Sequence, residues 1–142
     1  MKISARNVFD GSIETVKPGA INSEVNVALP GGLQIVATVT NDSVAELGLV
    51  VGKAVKALVK ASSVLVLTDG AGVKLSARNR LEGTVSALTE GPVSTEVAIS
   101  LPNGLTVFAT ITRDGATALG LKVGIPAAAV FKAPSVIIGV AA

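Results

Sequence analysis

Ser4-Ala5-Arg6-Asn7 returns as Ser76-Ala77-Arg78-Asn79, 72 positions further along the chain. At that single offset the rest of the sequence aligns without a gap. Gly19 meets Gly91, Glu24-Val25 meets Glu96-Val97, and Leu29-Pro30 meets Leu101-Pro102. Leu47-Gly48-Leu49 meets Leu119-Gly120-Leu121, and Lys60-Ala61 meets Lys132-Ala133. Of 70 aligned pairs 27 are identical, so the chain is two copies of one small module. The expected modules are residues 1–70 and 73–142, joined by the short turn Asp69-Gly70-Ala71-Gly72.

Within each copy, Val, Ile and Thr alternate with polar or small residues in short runs bounded by Gly, Pro and Asn. Strands are predicted over 11–16, 24–29, 33–39, 54–59 and 64–67. Gly31-Gly32 and Asn103-Gly104 read as hairpin turns. One stretch per copy breaks the pattern. Residues 40–48 begin with cap-type side chains, Ser43 and Glu46 have capping-box spacing, and Gly48 suits a C-terminal cap. Gly115 makes the second copy the weaker helix former, and Leu47 and Leu49 are assigned to the core. Five short strands and one short helix per copy predict an all-β chain of two tandem OB-like Greek-key barrels.

A module of this size is marginal for a lone hydrophobic core. Yet 49% of residues are apolar and 15% charged, against about 25% charged in ordinary chains. The apolar excess predicts burial between modules and between chains, hence a homo-oligomer. There is no Cys, His, Trp or Tyr, which excludes disulfides and thiolate or imidazole metal sites. The ten carboxylates are scattered without ligand spacing, so no direct metal ligand is expected. The start, Met1-Lys2-Ile3-Ser4-Ala5-Arg6, lacks the apolar run of a signal peptide. No stretch reaches the roughly 18 apolar residues that span a bilayer. A cytoplasmic location without membrane partners is the expectation.

Catalysis finds little to work with. Neither Ser4 nor Ser76 has a His or Cys to serve it, and a Ser62–Lys60 dyad is the one nucleophile arrangement left. Phosphate-binding glycine loops are missing too, and no enzymatic role is expected. What recurs instead is a set of donors. Each copy supplies a hydroxyl and a cation at its start (Ser4 and Arg6, Ser76 and Arg78) and a Thr before its helix (Thr40, Thr112). Each also places Lys-Ala at the end of its late strand (Lys60-Ala61, Lys132-Ala133), followed by Ser62-Ser63 or Pro134-Ser135. Of eight Lys and four Arg, Lys2, Arg6 and Lys60 reappear as Lys74, Arg78 and Lys132. Hydroxyls, turn N–H groups and fixed cations together suit an oxyanion, which offers only acceptors. The competing reading pairs Arg6 with Glu24 across strands, leaves Lys60 as a solvated strand end, and gives Ser, Thr and Gly only turn duties. A second recurring loop, Gly19-Ala20-Ile21-Asn22-Ser23-Glu24-Val25 against Gly91-Pro92-Val93-Ser94-Thr95-Glu96-Val97, reads either as a strand-entry turn or as a backbone-lined anion cradle.

The opening Ser-Ala-Arg-Asn, the Gly-Ala-Ile-Asn-Ser-Glu-Val loop, the Val-Thr before a short helix ending Leu-Gly-Leu, and the closing Lys-Ala-Ser-Ser-Val resemble the Mop domain. This is the domain of the molbindins, small cytoplasmic molybdate-binding proteins, and the likeness is to their tandem form. The resemblance implies OB-like barrels, a trimer of tandem chains, and molybdate or tungstate as ligand, with no further cofactor. It implies oxyanion contacts at Ser4, Arg6, Thr40, Lys60, Ala61 and Ser62, and at Ser76, Arg78, Thr112, Lys132 and Ala133. Pro134 removes both the hydroxyl and the N–H that Ser62 offers, which either weakens sites built there or passes that role to Ser135. The cradles implied are Ile21, Asn22 and Ser23, and Val93, Ser94 and Thr95. Helix pairs for DNA and ATPase segments, found in regulators and transporters that also carry the domain, are not expected.

Two rivals come from other classes. OB barrels often bind single-stranded nucleic acid, but that needs aromatic platforms, and only Phe9, Phe108 and Phe131 are aromatic; no nucleic-acid partner is expected. A docking module without ligand predicts that Arg6→Ala and Lys60→Ala alter stability alone.

Overall fold

In the computed structural model, which describes residues 1–142, ten strands form two five-stranded antiparallel sheets. The first repeat supplies β1 (Asn7–Pro18), β2 (Asn22–Ala28), β3 (Gln34–Thr40), β4 (Ala54–Val59) and β5 (Leu65–Leu67). The second supplies β6 (Asn79–Glu90), β7 (Ser94–Ser100), β8 (Thr106–Thr112), β9 (Pro126–Phe131) and β10 (Ile137–Gly139). A short helix follows the third strand of each repeat: α1 (Asn41–Leu47) and α2 (Arg113–Ala118). The architecture is the expected one, two OB-like barrels with one short helix each. Every predicted strand has its counterpart, and both glycine-containing turns join antiparallel neighbours, β2 to β3 and β7 to β8.

The long first strand organises each barrel. Residues 7–12 of β1 pair with β4, while residues 12–18 pair with β2. One strand serves two partners because it bends, and a bulge between Ile13 and Thr15 supplies the bend. The second repeat repeats the device between Val85 and Ala87. β1 begins four residues earlier than predicted. Its start alternates in burial although Asn7 and Asp10 are polar, and that polarity masks the period in the sequence. Inward side chains fill the cores: Phe9, Ile13, Val25, Val27 and Ile35 in one, and Leu81, Val85, Val97, Ile99 and Phe131 in the other.

The compact units differ from the contiguous modules 1–70 and 73–142. One comprises Met1–Val59 with Lys132–Ala142; the other is Lys60–Phe131. Strand pairing is the reason. β10 pairs with β4 through Ile137↔Leu58, Ile138↔Ala57 and Gly139↔Lys56, and the first sheet runs β10-β4-β1-β2-β3. β5 pairs with β9 through Leu65↔Val130, Val66↔Ala129 and Leu67↔Ala128, and the second runs β5-β9-β6-β7-β8. Each barrel takes its fifth strand from the other repeat. β5 and β10 are equivalent under the repeat, so the alignment gives no sign of which one meets β4.

The helices correct the capping assignment. Thr40, not Ser43, is the N-cap of α1: its Oγ1 accepts the Ser43 N–H at 3.1 Å and donates to the Ser43 hydroxyl at 2.9 Å. Gly48 ends the helix in the left-handed region (φ 63, ψ 44), as expected of a C-cap glycine. Leu49 is buried in the core, whereas Leu47 is only half-buried. No helix is long and apolar enough to cross a membrane.

Candidate functional site

The recurring donors gather at the ladder ends. Asn7↔Val59 and Asn79↔Phe131 are the terminal pairs of the β1–β4 and β6–β9 ladders. Arg6 and Arg78 immediately precede those pairs, and Lys60 and Lys132 immediately follow them. Ser4, Arg6, Lys60, Ser76, Arg78 and Lys132 are all exposed, while Asn7 and Asn79 are buried. After each Lys the chain makes one 3-10 turn, Ala61–Ser63 or Ala133–Ser135. These turns close through Ser63 N–H to Lys60 O (2.9 Å) and Ser135 N–H to Lys132 O (3.0 Å). The N–H groups of Ala61 and Ser62 have no backbone acceptor in the chain. In the second repeat Pro134 removes one of these donors, leaving Ala133, while Ser135 is half-buried.

The strand exchange regroups these residues. Arg6 stays across the ladder end from Lys60, and Arg78 from Lys132, while Thr40 shares a compact unit with Ala133 and Ser135, and Thr112 with Ala61 and Ser62. The 133–135 turn packs on β3, and the 61–63 turn packs on β8. In the first unit a shallow groove is lined by Thr38, Thr40, Ser43 and Leu47 from one side and Val136 and Ile138 from the other. The two repeats therefore mix in each group, an arrangement the repeat alignment cannot display.

Thr40 and Thr112 have a structural duty as well as an exposed position. Thr112 Oγ1 accepts the Gly115 N–H at 3.0 Å, as Thr40 does for Ser43. Thr112→Ala is expected to lower stability by about 1 kcal/mol, with Thr112→Ser close to wild type; urea unfolding of both variants checks this. A loss of ligand affinity in Thr112→Ala beyond that in Thr112→Ser would reflect the cap as much as a contact.

The two strand-entry loops share a frame. Gly19 N–H donates to Asn22 O and Gly91 N–H to Ser94 O, both at 2.8 Å. Ile21, Asn22, Val93 and Ser94 are exposed, but Ser23 and Thr95 are buried. The Ser23 hydroxyl is already engaged, donating to Asn41 Oδ1 at 2.6 Å. Asn41 makes two further bonds to the same loop: its Nδ2 donates to Gly19 O at 2.9 Å, and its backbone N–H to Ile21 O at 2.8 Å. In the second repeat Arg113 stands in this place. Its backbone N–H keeps the bond to Val93 O (3.0 Å), but the Thr95 hydroxyl is buried without a partner. Asn41 carries no repeat signal in the sequence, because its counterpart in the second copy is Arg113.

Electrostatics differ between the repeats elsewhere. Lys56 pairs with Asp10 across strands at 2.5 Å, whereas Arg80 pairs with Glu82 along one strand at 2.8 Å. Arg80 also donates to Val73 O (2.7 Å) and Gly70 O (3.0 Å), which fastens the turn between the repeats. No cluster of three or more His, Cys, Asp or Glu side chains is present.

Comparison with known proteins places the repeat. The TOBE domain family matches twice, over residues 3–66 and 75–138. The molybdenum transport protein ModE of Herbaspirillum seropedicae is 45% identical over 140 residues, covering 99% of this chain and 52% of its own length. The molybdenum-pterin-binding protein MopA of Rhodobacter capsulatus is 44% identical over 138 residues, covering 97% of this chain and 52% of its own. The chain thus spans about half the length of the curated relatives it matches. The solved structure of the cytoplasmic molybdate-binding protein ModG, with molybdate bound, superposes with a TM-score of 0.96 at 48% identity, covering 99% of this chain and 100% of that one.

Proposed function

The chain belongs to the TOBE-domain family, carrying the domain twice, and from that premise we propose that it binds molybdate or tungstate noncovalently, as a cytoplasmic store or buffer of the oxyanion. The observation that carries this reading is the donor-only chemistry at the ladder ends, on a backbone matching ModG over its full length. A tetrahedral oxyanion presents acceptors alone. Hydroxyls, turn N–H groups and fixed cations answer it without any metal–side-chain bond, since the oxygens already saturate the metal.

The proposed contacts are Ser4, Arg6, Thr40, Lys60, Ala61 and Ser62, and Ser76, Arg78, Thr112, Lys132, Ala133 and Ser135, with Arg6 across the ladder end from Lys60 and Arg78 across from Lys132. The loops 21–23 and 93–95 form the second type of site, completed by neighbouring chains of a homo-oligomer, a trimer in this reading. Exposed apolar residues support such an assembly: Ile21 and Val93 in those loops, and Leu65 and Ile137 on the exchanged strands. Binding rather than catalysis is the proposed activity.

Isothermal titration tests it. Molybdate and tungstate are expected to give saturable heat, and sulfate far less. Arg78→Ala and Lys60→Ala are each expected to weaken binding by about ten- to a hundredfold, the scale of a charge-assisted hydrogen bond. A folded protein that gives no heat with either oxyanion would refute the proposal.

A further inference from the structure

We infer that Asn41 makes the first-repeat cradle the tighter of two inequivalent oxyanion cradles, and that Arg113 leaves the second loosely held and weaker. The inference rests on the oxyanion reading above. A cradle built from backbone N–H groups binds well only if those groups are fixed before the anion arrives, because ordering a loop on binding subtracts from affinity. Asn41 fixes its loop at three points: Gly19 O, Ile21 O and the Ser23 hydroxyl. An amide suits this task because it donates and accepts from one side chain.

Arg113 cannot replace it. A guanidinium has donors and no acceptor, so the Thr95 hydroxyl has nothing to donate to, and its Oγ1 is left buried and unpartnered. Of the three anchors only the backbone bond to Val93 O remains. Pro92, in place of Ala20, fixes one dihedral but supplies no bond to residues 93–95. The Arg113 guanidinium brings a positive charge to the second loop, and a carboxylate there offsets it. Glu90 is the strand partner of Thr95, where Pro18 is the partner of Ser23. A carboxylate beside the second cradle repels a dianion.

Amide exchange and molybdate titration on the full chain test this. In wild type, amides 21–23 are expected to exchange more slowly than 93–95, and titration to resolve a tight and a weak class of cradle site. Asn41→Arg is expected to weaken the tight class by roughly tenfold, the scale of lost side-chain hydrogen bonds, and to leave the weak class unchanged. The double variant Thr95→Ser with Arg113→Asn, which rebuilds the anchor set in the second repeat, is expected to tighten the weak class and slow exchange at 93–95. Asn41→Ala removes both side-chain bonds and adds no charge. It serves where Asn41→Arg fails to fold and is expected to give a similar loss in the same class. Equal exchange in the two wild-type loops, or an unchanged isotherm in the double variant while wild type binds, overturns the inference alone. Absence of molybdate heat in folded wild type overturns the oxyanion reading and this inference with it.

Discussion

Deleting residues 132–142 is expected to unfold the unit built on residues 1–59 and to leave residues 60–131 folded. The deleted segment belongs by sequence to the second repeat, but its strand β10 lies on β4. Val136 and Ile138 are 4% and 8% exposed, and burying side chains of this kind is worth about 1.5–3 kcal/mol each. Three residues of strand pairing go with them, and β4 becomes an open edge. A small unit has a total margin of only about 5–15 kcal/mol, so this loss removes much of it. Amide exchange resolved along the chain gives the answer. Protection is expected to vanish at β1, β2 and β4 and persist at β6, β7 and β9. The opposite pattern, with 60–131 losing protection and 1–59 keeping it, would refute the observed pairing.

Gly83→Val is expected to destabilise the second unit by about 3 kcal/mol or more. Gly83 lies in β6 just before its bulge, where a Cβ would overlap the Ser100 carbonyl oxygen and approach Ile99 Cγ2 to 2.8 Å. Backbone cannot yield here without breaking the β6–β7 ladder. Gly11 is in the same position in the first repeat, with a Cβ there falling 2.5 Å from Ala28 O. The conserved requirement is thus steric room at the crossing, not a left-handed backbone. Gly139→Ala is the contrast: its Cβ would sit 3.6 Å from Leu58 Cδ1, an ordinary contact, and stability should stay within about 0.5 kcal/mol. Denaturant unfolding of the two variants ranks them. Equal stability of Gly83→Val and Gly139→Ala would remove the steric argument.

Strands, turns and helices were legible because alternation and turn residues are local signals. Val25 and Val27 point inward, Gly48 takes the left-handed cap, and Gly104 turns the second hairpin. Three features were hidden for definite reasons. The capping role went to Ser43 because its spacing to Glu46 fits a box, while Thr40, last residue of β3, does the capping. Asn41 was invisible to a search for retained residues, since its value lies in three bonds to a loop about twenty positions earlier. The strand exchange could not be read at all. A duplicated sequence makes β5 and β10 equal candidates for β4 and β9, and only the folded chain chooses. For the candidate sites this matters most, because it brings the 133–135 turn to β3 and the 61–63 turn to β8.

The exchanged strands also bear on how the polypeptide matures. The unit spanning 60–131 is one continuous run, complete as soon as that run has left the ribosome. The unit built on residues 1–59 needs residues 132–142 before its sheet can close. Synthesis therefore completes the 60–131 unit before the unit that contains 1–59, against the usual N-terminal-first order of domain folding. Joining residues 1–59 with residues 132–142 in one unit raises the mean loop that must be closed, which slows that step. Until residues 132–142 emerge, β4 has β1 on one edge and stands open on the other.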